Sequence, residues 1–368
     1  MKALKLAHLT IFILCSSLLH AEDWNNWRGP EMNGSSQAEN TPQSFSPDQG
    51  VRWSVDMPGA AASTPVISNN HVFISSTDES KENLVALAYD LKTGKELWRH
   101  VVGQGLKQDD RSNYAGASPV SDGKHVVFFY GTGDIAVFTL EGKPVWKKNI
   151  QEEYGKFYFL WTFSTSPLLH GGNIIMQVLQ RDTPVHGFQR GGGKHSSYLL
   201  ALSMKDGSKV YQVERPDDAR AEAKEAFSTP VLYEHDGKTQ LLVTGGDCIT
   251  GHDPETGKEI WRWGTWNPDK IGHWRLVPSP VAGKGIALAC APKGAPIYAV
   301  KLGSNGNLDN SHIAWKSTNP NVSTDVPTPL FYRGHFYVAN NGRKRTHTLS
   351  CIEPESGKVI WSEDLGVE

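Results

Sequence analysis

The chain has 368 residues, 21% charged and 38% hydrophobic, with 36 Gly, 21 Pro and 12 Trp. Gly and Pro are too few for a low-complexity chain and numerous enough for many tight turns. The 37 basic and 39 acidic residues are spread without blocks, so the sequence carries no electrostatic footprint for nucleic acid or an anionic membrane.

Lys2 and Lys5 precede an apolar run from Leu6 to Leu19, and Ala21 offers a small residue for cleavage. This predicts a signal peptide over residues 1–21 and a periplasmic or secreted protein. Cys15 follows Leu14, where a lipidated Cys would want a small residue. No other apolar run approaches the length of a membrane span. Residues 22–52 are polar with Pro and Gly and read as an N-terminal arm lying on the surface. Residues 53–368 read as one repeat domain.

The repeat is marked twice. Asp90-Leu-Lys-Thr-Gly94-Lys-Glu-Leu-Trp98 recurs as Asp253-Pro-Glu-Thr-Gly257-Lys-Glu-Ile-Trp261 and as Glu353-Pro-Glu-Ser-Gly357-Lys-Val-Ile-Trp361. Altered copies carry Gly142 with Trp146 and Gly207 with Tyr211, and a looser one ends at Trp315. Ser/Thr-Pro keeps time with them at Thr64, Ser118, Ser166, Thr229, Ser279 and Thr328. Each unit, some fifty residues long, reads as four short strands. Pro is tolerated at the start of the first strand. The Asp-x-x-Thr-Gly turn joins the last two, because Asp bonds nearby backbone and Gly supplies positive φ. The aromatic residue of the outer strand suits packing between neighbouring sheets. Four-stranded units repeated radially are the blades of an all-β propeller, and six complete blades fit between Thr64 and Trp361. Trp53 reads as an orphan outer strand. Only the region from Pro216 to Ala226 reads as helical.

These residues resemble the PQQ-like repeat β-propellers, named for pyrroloquinoline quinone, whose units carry A-x-D-x-x-T-G-x-x-x-W. The opening Asp23-Trp24-Asn-Asn-Trp27-Arg28-Gly29-Pro30 resembles the start of an exported, planctomycete-type subgroup. The resemblance implies an eight-bladed relative, and thus a chain that is C-terminally incomplete by about 70 residues, roughly one and a half units. It also implies two branches. One holds the quinone and Ca²⁺ in the propeller axis with a neighbouring Cys-Cys pair and an Asp base. The other resembles the propeller lipoprotein of the outer-membrane protein assembly machine, which binds protein and has no catalytic site.

Residues four and five before each Ser/Thr of the Ser/Thr-Pro marker should circle one mouth of the axial channel. They are varied where structural positions are monotonous: Asn113, Tyr114, Trp161, Glu225, Trp274 and Arg275, with Asp325 nearby. Binding residues concentrate on loops over a rigid scaffold, so these predict a small polar pocket with aromatic walls. Glu225 and Arg275, on neighbouring blades, are expected to form an ion pair in it.

Cys248, Cys290 and Cys351 are not adjacent, and the histidines show no short ligand spacing, so no metal site is expected. No Gly-x-Ser-x-Gly elbow is present. Gln189-Arg-Gly-Gly-Gly-Lys-His195 departs from a phosphate loop at both ends and reads as an extension of the third blade. Trp261, Trp263 and Trp266 offer a sugar-stacking shelf. The sequence therefore predicts an exported, non-catalytic binding or scaffold propeller of the cell envelope, without a cofactor. Its partner is an envelope protein or a small polar ligand. The alternatives are a PQQ-dependent, Ca²⁺-requiring quinoprotein dehydrogenase and a carbohydrate-binding or carbohydrate-processing propeller.

Overall fold

The structure, a computed structural model, describes residues 23–36, 41–106, 112–182, 196–340 and 347–366. The expected signal peptide and the Gln189–His195 stretch lie outside the described residues.

Six sheets of four consecutive antiparallel strands follow one another along the described residues, the fourth of them extended by a short parallel strand, Gly306–Asn307. Blade 1 holds strands Val66–Ser68, His71–Asp78, Asn83–Asp90 and Glu96–Gln104, and blade 2 holds Val120–Ser121, His125–Phe129, Asp134–Thr139 and Pro144–Asn149. Blade 3 holds Leu168–His170, Asn173–Val178, Tyr198–Ser203 and Lys209–Glu214. Blade 4 holds Val231–His235, Lys238–Gly245, Cys248–His252 and Glu259–Trp263. Blade 5 holds Val281–Gly283, Ile286–Cys290, Ile297–Lys301 and Ile313–Lys316, and blade 6 holds Leu330–Tyr332, His335–Ala339, Thr348–Ile352 and Val359–Asp364. The core lies between blades, where the two inner strands of each sheet are apolar on both faces. The all-β propeller expected from the repeat is the fold observed.

Helix is scarcer than expected around Pro216–Ala226, where a single 3₁₀ turn spans Ala221–Lys224. A short helix, Ile150–Tyr154, appears instead at the end of blade 2, its first turn capped by the Asn149 side chain. That cap is a local signal, but five residues are too few to show a helical period in the sequence.

The Ser/Thr-Pro marker joins neighbouring blades. The Thr64 amide donates to Ser118 Oγ (2.9 Å), the Ser118 amide to Ser166 Oγ (2.9 Å), and the Ser166 amide to Thr229 Oγ1 (3.1 Å). Thr229 continues to Ser279 (2.8 Å) and Ser279 to Thr328 (3.0 Å). The ladder draws the first strands together, so these line the axis and the fourth strands lie outside. The hydroxyl is required because Pro fixes the backbone that follows and leaves the preceding amide to find a partner across the blade gap. Ser166→Ala strands the buried Ser118 amide and is expected to cost about 1–3 kcal/mol. Thr64→Ala, whose hydroxyl receives no such amide, should change the melting temperature far less.

The aromatic marker also acts between blades. In every outer strand a bulge falls beside the aromatic residue, which pairs with a residue no larger than Val: Ala88, Val137, Ala201, Gly251, Ala299 or Cys351. The skipped residue is left outward, which explains exposed Leu97, Val145, Val210 and Ile360. A Cβ on Gly142 would lie 2.6 Å from the Trp98 ring, and Gly142 has φ +85°. The indole also donates to the Leu140 carbonyl (2.8 Å). Gly94 receives Trp53, Gly207 receives Trp146, Gly257 receives Tyr211 and Gly357 receives Trp315 in the same manner. Trp53 forms no strand, yet its indole donates to the Leu91 carbonyl (3.0 Å) as a blade's aromatic residue would.

The arm is not a surface arm throughout. Residues 41–50 are exposed, but Asp23 to Ser35 cross the first strands. The Trp24 carbonyl accepts from the Ile67 amide (2.8 Å) on blade 1, and the Asn25 carbonyl from the Ser121 amide (2.9 Å) on blade 2. Asn26, Trp27, Arg28 and Met32 pack against Pro167, Leu168 and Thr229–Val231 of blades 3 and 4, leaving a void of about 10 Å³. Arg28 reaches the Pro329 carbonyl at the start of blade 6. Such a void has room for about one water. The segment fills the axis at the level of the Ser/Thr-Pro ladder.

Candidate functional site

The connections before the Ser/Thr-Pro ladder divide the predicted mouth residues among separate places. Asn113 and Tyr114 sit between blades 1 and 2. The Asn113 side chain accepts from the Ala115 amide (2.8 Å) and the Tyr114 carbonyl from the Gly131 amide (2.8 Å), so both shape that turn. Asp325 stands between blades 5 and 6, accepting from the Lys293 amide (2.8 Å), with Lys293 Nζ at 3.9 Å.

Trp161, Glu225 and Arg275 do come together, where the connections into blades 3, 4 and 5 converge; Trp274, beside Arg275, packs against the blade 3–5 core. Backbone pairing places them. The Glu225 carbonyl accepts from the Leu276 amide (3.2 Å), and the Phe227 amide donates to the Leu276 carbonyl (2.9 Å), so two connections run side by side.

The expected Glu225–Arg275 ion pair does not form. Glu225 is fully buried and takes its charge partner from Arg181 instead, while its carboxylate accepts from the Leu160 amide (3.1 Å). Arg275 faces Glu222 (3.8 Å), which also accepts from the Trp161 indole (3.1 Å). The reason is geometric: on the same connection, Glu222 in the 3₁₀ turn is partly exposed, whereas Glu225, just after it, is fully buried. Lys224 bridges Asp217 (2.9 Å) and Asp182 (3.4 Å) beside them.

Burial dominates the electrostatics here. It raises Glu225 to about 7, with the Arg181 hydrogen bond and charge opposing it. Burial likewise raises Asp247, under the neighbouring loop, to about 6 against its bond from Asn267. Arg275 Nη1 is buried without a hydrogen-bond partner among the described residues.

Sequence reasoning missed Arg181 and Glu222 as members of this network, and a separate buried cation, Arg215; Lys224, five residues before Thr229, stands at a predicted mouth position. Arg215 is wholly buried and donates to the Gly245 and Cys248 carbonyls (2.6 and 3.0 Å). No local pattern marks Arg181, Arg215 or Glu222. Charged residues are rarely buried unless paired, and the partners of Arg181 and Arg215 lie on the next blade or its connection.

The Trp shelf is absent: Trp261, Trp263 and Trp266 are all buried. Cys248, Cys290 and Cys351 are free and buried on three different blades, as small apolar residues would be. A quinone with Ca²⁺ in the axis would need space and several oxygen ligands there. Trp27, Arg28 and Met32 leave only about 10 Å³ beside the first strands of blades 3 and 4, and among the described residues no group of three His, Cys, Asp or Glu could hold a metal. The residues present do not fit that cofactor. Among the described residues no helix is long and apolar enough to cross a membrane.

The sequence profile of the family described as outer membrane protein assembly factor BamB matches residues 45–177 and 81–363. BamB from Moraxella catarrhalis superposes with a TM-score of 0.57 at 13% identity, over 85% of this chain and 77% of that one. A europium-containing methanol dehydrogenase gives 0.57 at 12% identity, over 82% and 70%. A quinohemoprotein alcohol dehydrogenase from Comamonas testosteroni gives 0.58 at 13%, over 93% and 67%. At such identities these likenesses concern the fold alone. No curated protein matches the chain in sequence.

Proposed function

The chain belongs to the family of PQQ-like repeat propellers described as outer membrane protein assembly factor BamB, and from that we propose that it is an exported, non-catalytic binding or scaffold protein of the cell envelope. The observation that carries this reading is the axial plug. Beside the first strands of blades 3 and 4 the chain's own Trp27, Arg28 and Met32 leave a void of only about 10 Å³, too small for a quinone. What remains for function is the outer mouth, where Trp161, Glu222 and Arg275 form an aromatic and ionic surface on rigid connections. An envelope protein that offers a main-chain carbonyl or a carboxylate to Arg275 suits that surface.

Two measurements test it. Calorimetric titration of the mature protein with pyrroloquinoline quinone and Ca²⁺ is expected to give no saturable heat; micromolar binding would overturn the reading. A photo-crosslinker placed at the exposed His273, next to Trp274, is expected to trap one discrete envelope protein in cells. Arg275→Ala should reduce that product at least about tenfold, the loss of a charge-assisted contact. A product unchanged by Arg275→Ala would remove the mouth from the proposal.

A further inference from the structure

The repeat is broken once. In blades 1, 2, 3 and 5 the outer-strand aromatic residue reaches the turn glycine of the following blade, but Trp261 of blade 4 does not. Its indole folds over its own sheet against Gly251 and donates to Gln240 Oε1 (2.8 Å). Two features cause this. Gly251 stands opposite Trp261, where the other blades carry a residue with a side chain, so the ring can lie flat on the sheet. The corresponding turn of blade 5 is lengthened, and its residues Gly306–Asn307 pair with Trp261 and Arg262 as a parallel fifth strand.

The place an aromatic residue would fill is therefore open. A cavity of about 520 Å³ lies there, lined from blade 3 by His170, from blade 4 by His235, Lys238, Thr239, Gln240, Glu255 and Ile260, and from blade 5 by Asn305. This is within the roughly 300–1,000 Å³ of small-ligand sites. Gln240 is 8% exposed. Because the Trp261 N–H holds its Oε1, its Nε2 is the atom left, and it is not among the buried unpaired atoms, so it is accessible from the cavity. A donor held in place by its own amide oxygen and facing a cavity is ready for a ligand acceptor.

We propose that this cavity binds a neutral polyhydroxylated ligand, a mono- or disaccharide unit. Its lining mixes donors (Gln240 Nε2, Lys238) with acceptors (Glu255, Thr239) and the bifunctional Asn305 amide. Sugar hydroxyls both donate and accept, so they satisfy such a set. Ile260 and Pro254 supply an apolar patch for the C–H face of a sugar ring. The carboxylates of Asp236, Asp253 and Glu255 outnumber Lys238, which disfavours phosphate or carboxylate ligands. This site is on the opposite side of the propeller from Arg275, among the turns joining first to second and third to fourth strands. It does not depend on the function proposed above.

The test is saturation-transfer NMR and calorimetry of the mature chain with glucose, N-acetylglucosamine, maltose and cellobiose. Saturable binding in the millimolar range or tighter is expected for at least one. Gln240→Glu keeps the acceptor for Trp261 but replaces the free donor with an acceptor, and should weaken binding at least about tenfold, one lost charge-free contact and an unmatched acceptor. Asn305→Ala, in a surface turn, should weaken it too while leaving the melting temperature unchanged, which separates lost binding from lost folding. No saturable binding by any of the four sugars, or binding indifferent to both substitutions, overturns the proposal.

Discussion

Trp98→Ala is expected to destabilise the protein by about 3–5 kcal/mol, whereas Trp361→Ala, at the same place in the repeat, should cost less than about 1 kcal/mol. Trp98 lies among Phe73, Phe128 and Phe138, with ring centroids 5.5–6.0 Å away, and covers Gly142 of the next blade. Removing it deletes ring contacts from two blades at once and leaves a cavity that rigid strands cannot close. Trp361 touches Tyr337 of its own blade, at 6.0 Å between centroids, and is 39% exposed. Urea unfolding of the two variants decides the matter. Equal losses would show that the aromatic residue acts within its own sheet and not across the blade gap.

Arg181→Met should cost about 3–5 kcal/mol at pH 8, because it leaves the Glu225 carboxylate buried without its cation. The loss should shrink near pH 5, where Glu225 takes up a proton. Adding Glu225→Leu should recover much of the stability, since an apolar pair of similar volume replaces the ion pair. The same group gives the native protein a pH dependence of defined sign. Burial holds Glu225 at about 7 in the folded chain, above the ordinary 4.5. Between these values the folded state keeps a proton that the unfolded state has released. Stability therefore falls as pH rises from about 4.5 to about 7, then levels. His252 works oppositely: burial lowers it to about 4 from 6.5, so stability falls as pH drops through that window. Comparing the native chain with Glu225→Gln at each pH cancels the His252 contribution. A difference that does not change between pH 5 and 8 would mean that Glu225 stays ionised throughout.

The candidate mouth was legible in part. The varied residues before each Ser/Thr-Pro do lie in the connections between blades, and Trp161, Glu225 and Arg275 do meet. The pairing was not legible, because choosing between Glu222 and Glu225 depends on a 3₁₀ turn that sets one side chain outward and the other inward. Arg181 was invisible for a related reason: nothing in its neighbourhood along the chain distinguishes it from a solvated Arg. The break at Trp261 did leave a trace, Gly251 in place of the repeat's Ala, but a Gly in a strand reads first as a bulge or weak point.

Local chemistry was carried by the sequence itself. Asp90, Asp253 and Glu353 accept the amides of their own turns, Gly94, Gly257 and Gly357 take positive φ, and alternating apolar strands follow at fixed spacing. These are short-range demands that recur along the chain, so strands and turns were determined there. The tertiary structure alone decided what fills the axis, which acid each Arg meets, and where a Trp fails to dock. Those outcomes rest on partners far apart in the chain, such as Arg28 and the Pro329 carbonyl, 301 residues away. No periodicity encodes such a contact. Burial fixes it, because an arginine drawn in among the first strands must find whichever acceptor the blades place within reach.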